Sequence, residues 1–181
     1  MKISGILLLL LSLYLAFFIH STIWFSFFVI VGFLFFDSIN SGKGFSVLSN
    51  KKNFVFVFFI FALIGVFAEI IANLWLDKCD YPALNNVEYF INVILIGYPF
   101  ICFFGLELFV FIQNISKSHS KIILPVSAFL FGYVNEIPNT FAHEWEYKNI
   151  PFGEFLGVPV LMSLLWLLLL LSLLFKRFFA D

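Results

Sequence analysis

The chain has 181 residues, of which 62% are hydrophobic and 29 are phenylalanine, with a mean hydropathy of +1.06 and a formal net charge of −1. No soluble domain of this size buries so much apolar surface, so the composition predicts a polytopic membrane protein. Nothing in it points to nucleic acid, since no basic block or aromatic–basic interleaving occurs.

Lys2 opens an apolar run, Ile3–Ile19, that is too long for a secretory leader and has no small-x-small cleavage site after it. It reads as the first membrane helix. Residues 3–36 stay apolar apart from His20, Ser21, Thr22 and scattered serines. One helix of that length would reach about 51 Å, against a hydrocarbon core of about 30 Å. Two short helices turning near His20–Thr22 fit that thickness better than one tilted helix, although no glycine or proline marks the turn. Residues 1–36 are thus expected as an N-terminal hairpin. Asp37–Asn53 is a loop carrying Lys43, Lys51 and Lys52. The third helix is expected over Phe54–Leu76 and the fourth over Val87–Gln113, kinked near Gly97, Pro99 and Gly105. The fifth covers Ile122–Phe141 and the sixth Leu156–Phe175. The expected class is therefore all-α, a single membrane domain over residues 1–181 with about six transmembrane helices.

Charge fixes the expected orientation. With alternating loops, Lys2, Lys43, Lys51, Lys52, Lys117, Lys121, Lys176 and Arg177 fall on one side, eight of the ten basic residues. By the positive-inside rule both termini are expected in the cytoplasm of a cell-membrane protein. The other face carries Asp77, Asp80, Glu88, Glu144, Glu146 and Glu154.

Two stretches echo one another. Gly65–Trp75 places Glu69 and Asn73 inside an apolar helix, and Gly132–Trp145 places Glu136 and Asn139 in another. Each glutamate follows a glycine by four residues and precedes an asparagine and a tryptophan. Tyr81-Pro82 and Gly97-Tyr98-Pro99 follow the first; Tyr147, Pro151 and Gly157-Val158-Pro159 follow the second. Residues 54–113 and 122–176 are therefore expected as two parallel repeated hairpins. Ionisable groups in hydrocarbon are costly, which makes Glu69 and Glu136 the expected catalytic pair, facing a common cavity. The alternative is a structural pair, each carboxyl bonded to its asparagine to hold helices together. Asn73, Asn139, His143, Trp75 and Trp145 are the expected substrate-binding residues around them, although aromatic residues collect at membrane boundaries in any case. Glu107 is expected to snorkel to the inner interface, so that Glu107→Gln is mild.

No metal and no cofactor are expected. His143 heads H-E-W-E-Y, which has Tyr147 where the zinc-protease pattern needs a second histidine. Cys79 and Cys102 lack metal-ligand spacing and are not expected to form a disulfide.

The order Glu69, Asn73, Trp75, Tyr81-Pro82, then Gly97-Tyr98-Pro99 with Glu107 downstream resembles the hydrophobic lycopene cyclase domain. That family is built of repeated helical hairpins with buried acidic residues and a W-x-Y near the membrane surface. Pro151–Trp166 is similar to the G-V-P segment of membrane carotenoid hydratases. The chain departs from the cyclases where Phe100 and Ile101 replace paired acids after the G-x-P, and where Asn73 replaces an acid. The resemblance implies acid-catalysed isoprenoid or carotenoid-like lipid chemistry, of cyclase or hydratase type, without a redox cofactor. The expected partners are an apolar lipid or isoprenoid substrate and the membrane lipids. A small proton- or cation-coupled transporter, or a lipid-binding membrane protein without catalytic activity, is the alternative.

Overall fold

Segments rich in leucine and phenylalanine satisfy their own backbone groups only as helix when no water is available. The computed structural model, which describes residues 2–179, is accordingly mostly helical. The expectation for the chain ends touches Met1, Ala180 and Asp181, which lie outside the described residues. The helices are α1 (Lys2–Phe17), α2 (Trp24–Ser41), α3 (Lys51–Glu69), α4 (Asn86–Tyr89), α5 (Tyr98–Ile115), α6 (Ser120–Ala142) and α7 (Val160–Leu165). A π-helical turn, Ile70–Trp75, prolongs α3, and another, Phe90–Gly97, joins α4 to α5. A 3-10 segment, Trp166–Phe178, continues α7.

Four of these stretches are long and apolar enough to cross a membrane: Trp24–Ser41, Lys51–Asn73, Asn86–Ile115 and Val160–Phe178. α6 is 23 residues long but carries Asn135, Glu136 and Asn139, which lower its apolarity. α1 is apolar but shorter. The turn between α1 and α2 lacks glycine because His20 adopts the positive φ itself, at 52°. Its Nδ1–H donates to the Phe141 carbonyl at 2.5 Å, which ties the turn to the end of α6.

α5 is the central rod, packed against α2, α3, α6 and the 3-10 segment. Burial separates the rods: 67% of the Asn86–Ile115 window is buried, against 17% for Val160–Phe178. The latter presents Leu168, Leu171 and Leu174 outward, one apolar face suited to lipid.

The two ends of the bundle differ. At one, Lys176 bonds Gln113, Asn53 bonds the Phe178 carbonyl and Lys43 lies over the Phe111 ring. At the other, β1 (Cys79–Asp80) pairs antiparallel with β2 (Glu146–Tyr147), Cys79 opposite Tyr147 and Asp80 opposite Glu146. Lys148 bridges to Asp77 and Asp80 beside this pair.

Two expectations are corrected here. The last helix begins at Val160 rather than Leu156, because β3 (Glu154–Phe155) and β4 (Val158–Pro159) form a small hairpin first. Leu156 and Gly157, at φ 56° and 75°, make its turn. Glu107 does not snorkel. It is fully buried, and its oxygens accept from Asn40 Nδ2 at 2.6 Å and from the Val47 N–H at 3.1 Å. Nearby Asp37 accepts from Ser46 Oγ and the Leu48 N–H, so the two acids together fasten the loop after α2.

Candidate functional site

Glu69 is the last residue of α3, and the wide π turn that follows brings Asn73 Nδ2 to its Oε2 at 2.6 Å. Three tyrosine hydroxyls complete the shell: Tyr81 at 2.8 Å, Tyr89 at 3.0 Å and Tyr98 at 2.5 Å. Gly65, one turn earlier, gives Tyr98 its seat. A Cβ on Gly65 would lie 2.5 Å from Tyr98 Cγ.

Glu136 is held in the same manner by different residues. Trp145 Nε1–H donates to Oε2 at 3.1 Å, while Trp166 Nε1–H and Tyr147 OH donate to Oε1 at 2.9 and 2.8 Å. Gly132 seats Trp166 as Gly65 seats Tyr98, with a would-be Cβ 2.7 Å from Trp166 Cδ1. The glycine, glutamate and tyrosine of the two sequence stretches thus hold matching places. The G-x-P motifs do not: Gly97–Pro99 runs from a π turn into α5, whereas Val158-Pro159 is strand.

The asparagines also differ. Asn139 shapes the loop after α6: its Nδ2 donates to the Trp145 carbonyl, and its Oδ1 accepts from the Glu144 and Trp145 N–H groups. His143 caps α6 in the left-handed conformation, φ 52°, and is exposed. That reversal sends Glu144 and Trp145 back into the bundle. Trp75 is 77% exposed and takes no part in either shell.

Between the shells lies a cavity of about 330 Å³ whose walls include Phe25, Tyr98, Glu136, Glu144, Trp145 and Trp166. Tyr81 and Tyr147 also line it, whereas Glu69 stands behind Tyr81 and Tyr98 and is not among the lining residues. A second cavity of about 290 Å³ lies at the acidic end, lined by polar groups including His143, Glu146 and Glu154. Glu136, Trp145 and Tyr147 border both. Cys79, on β1, senses both shells: burial pushes its thiol up to about 12, and the charges of Glu69 and Glu136 add to the shift.

Glu144, expected on the outer face, is instead part of the cavity wall. It is completely buried, and neither carboxyl oxygen has a hydrogen-bond partner among the described residues. The Phe25 backbone N–H, in the first turn of α2, faces it without closing a hydrogen bond. Burial pushes its carboxyl up to about 8. Tyr89 and Trp166 were also missed as glutamate partners. The available signal was tyrosine itself: four of only six tyrosines sit on the two glutamates, while phenylalanine is spread everywhere.

Among the described residues no three His, Cys, Asp or Glu side chains gather as metal ligands. Comparison with protein-family models, with curated proteins and with solved structures finds no match. The likeness to carotenoid-modifying membrane proteins therefore rests on the motif residues alone.

Proposed function

We propose that the chain is a six-span membrane protein that transfers protons to an apolar, isoprenoid-like lipid held in the aromatic cavity. The observation carrying this reading is that one buried carboxyl, Glu136, borders both the polar cleft at the acidic end and the apolar cavity. A proton arriving through the cleft protonates Glu136, which gives it to one carbon of a substrate double bond. The π pair forms the new C–H bond, the carboxylate remains on Glu136, and the neighbouring carbon becomes a cation facing Trp145, Trp166 and Tyr98. Return of a proton from an adjacent carbon to Glu136 gives an isomerised product, and if a second double bond of the substrate first attacks the cation, forming a C–C bond and moving the charge to its far carbon, the same proton return gives a cyclised one. Capture by water, with loss of one water proton, gives a hydrated one. Glu69 is a positioning residue, acting through the Tyr81 and Tyr98 hydroxyls that it fixes.

Six spans are supported by the sorting of charge, since Lys43 and Lys176 make their contacts at one end and Lys148 pairs with Asp77 and Asp80 at the other. On this reading the basic end is cytoplasmic and the polar cleft opens outward. The matching glycine, glutamate and tyrosine of the two shells support parallel repeats related by an axis along the membrane normal.

Lipid extracts from cells with the wild-type chain, with Glu136→Gln and with neither test the enzyme. A lipid species altered only by the wild type is the expected result; identical profiles overturn it. The second reading, a proton- or cation-coupled carrier, is favoured by the same access of Glu136 to two cavities. Identical lipid profiles together with proton-driven uptake into vesicles would select it.

A further inference from the structure

Glu144 has no task in this chemistry, yet it is completely buried in the cavity wall, and neither carboxyl oxygen has a hydrogen-bond partner among the described residues. An orphaned buried acceptor is costly, and most of that cost returns when a donor or positive charge arrives. Glu136 does not share this need, because three donors already occupy its oxygens. The walls beside Glu144 are aromatic: Phe25, Tyr98, Trp145 and Trp166 line the same space. Among the described residues no lysine, arginine or histidine lines it. A cation that enters is surrounded by aromatic rings beside an unclaimed carboxyl, with no competing positive group among the described residues.

We propose that this cavity takes a hydrophobic organic cation, with Glu144 as its counter-ion. The proposal rests on the reading of the cavity as the substrate site and adds the sign of the charge it accepts. A carbocation formed by protonation would meet the same counter-ion. A stable ammonium compound of similar size is held in its place.

Among the described residues the titratable groups sharing the cavity are Tyr81, Tyr98, Cys102, Glu136 and Tyr147, all of them acids, and α2 contributes only the Phe25 N–H. Burial pushes Glu144 up to about 8, so at neutral pH cation binding displaces a proton from it. Affinity for a fixed cation should rise about tenfold per pH unit in the approach to that value and level off above it.

The test compares benzyltrimethylammonium with neopentylbenzene, its uncharged carbon isostere, on the full chain in nanodiscs, read by quenching of tryptophan fluorescence against empty nanodiscs. At pH 8 the cation should bind at least about tenfold more tightly than the isostere, and only the cation should show the pH dependence. Glu144→Gln should erase the difference, and Glu144→Asp should retain part of it. The wild-type comparison stands even if a variant fails to fold. Equal affinities for the two probes, binding of neither, or discrimination that survives in folded Glu144→Gln would each overturn the proposal. Equal probe affinities with a lipid profile that depends on Glu136 would remove the counter-ion and leave the enzyme. Preferential cation binding with an unchanged lipid profile would do the reverse.

Discussion

Glu136 and Glu144 are eight residues apart and line one cavity, yet their surroundings are opposite. Glu136 accepts three hydrogen bonds and Glu144 none. Glu144 has a carboxyl raised to about 8 by burial, from roughly 4.3 in an unfolded chain. The folded protein therefore binds this proton more tightly than the unfolded one. Its contribution to stability is full below the unfolded value and is lost as pH rises toward about 8. Wild-type protein in detergent should thus lose unfolding stability between pH 5 and pH 8, and Glu144→Gln should make that slope shallower in the same titration. Glu107 gives the opposite case, an acid whose hydrogen bonds are structural. Glu107→Gln turns an NH₂ group toward Asn40 Nδ2 or the Val47 N–H, so the variant should lose roughly 1–3 kcal/mol by denaturant unfolding. An unchanged midpoint would mean that the loop after α2 does not depend on it.

At the scale of elements, the site is made by close approach between helices. Gly65 and Gly132 are the points where Tyr98 and Trp166 cross within reach of a Cβ. Gly65→Ala and Gly132→Ala should each displace an aromatic donor from its glutamate and cost about 1–3 kcal/mol by overpacking, with loss of activity as well. Alanine at Gly42, where nothing crowds closer than 3.5 Å, is the control. Much of this was legible beforehand. Charges within apolar runs single out Glu69 and Glu136, and the glycine four residues before each marks the echo between the two stretches, because helical periodicity fixes those relations. What was not legible came from outside the helices. A left-handed cap at His143 turns Glu144 inward, and no periodic pattern records that reversal. The donor matching Tyr98 is Trp166, seven residues beyond the Pro159 of the G-x-P echo, because a strand hairpin intervenes before α7. Burial of Glu107 is not visible in its own helix because its partners, Asn40 and Val47, lie 67 and 60 residues away.

For the whole molecule, the decisive feature is the small strand pair at the acidic end. An antiparallel pair is itself twofold symmetric about its centre. With Asp80 opposite Glu146, exchanging the strands about that pair carries Tyr81 onto Tyr147, the tyrosine of one glutamate onto that of the other. The pairing therefore joins the tyrosine strands of the two glutamate shells, at the point where the axis of the proposed repeat would emerge. This makes a sharp prediction. In a Cys79→Ser, Cys102→Ser background, Asp80→Cys and Glu146→Cys should form a disulfide on mild oxidation. Residues directly opposed in an antiparallel pair lie about 4.5–5.5 Å apart at Cα, inside the range of about 4.4–6.8 Å that a disulfide spans. A protease site inserted between Ser116 and His119, in the turn from α5 to α6, separates the strand carrying Asp80 from the strand carrying Glu146. After cleavage the oxidised protein should run as one species on a denaturing gel and as two after reduction. A partner placed one residue off, Asp80→Cys with Tyr147→Cys, points to the other face of the strand and should link poorly. Halves that separate without reductant, or that link equally well in both registers, would show that the strands do not hold the two hairpins about a common axis.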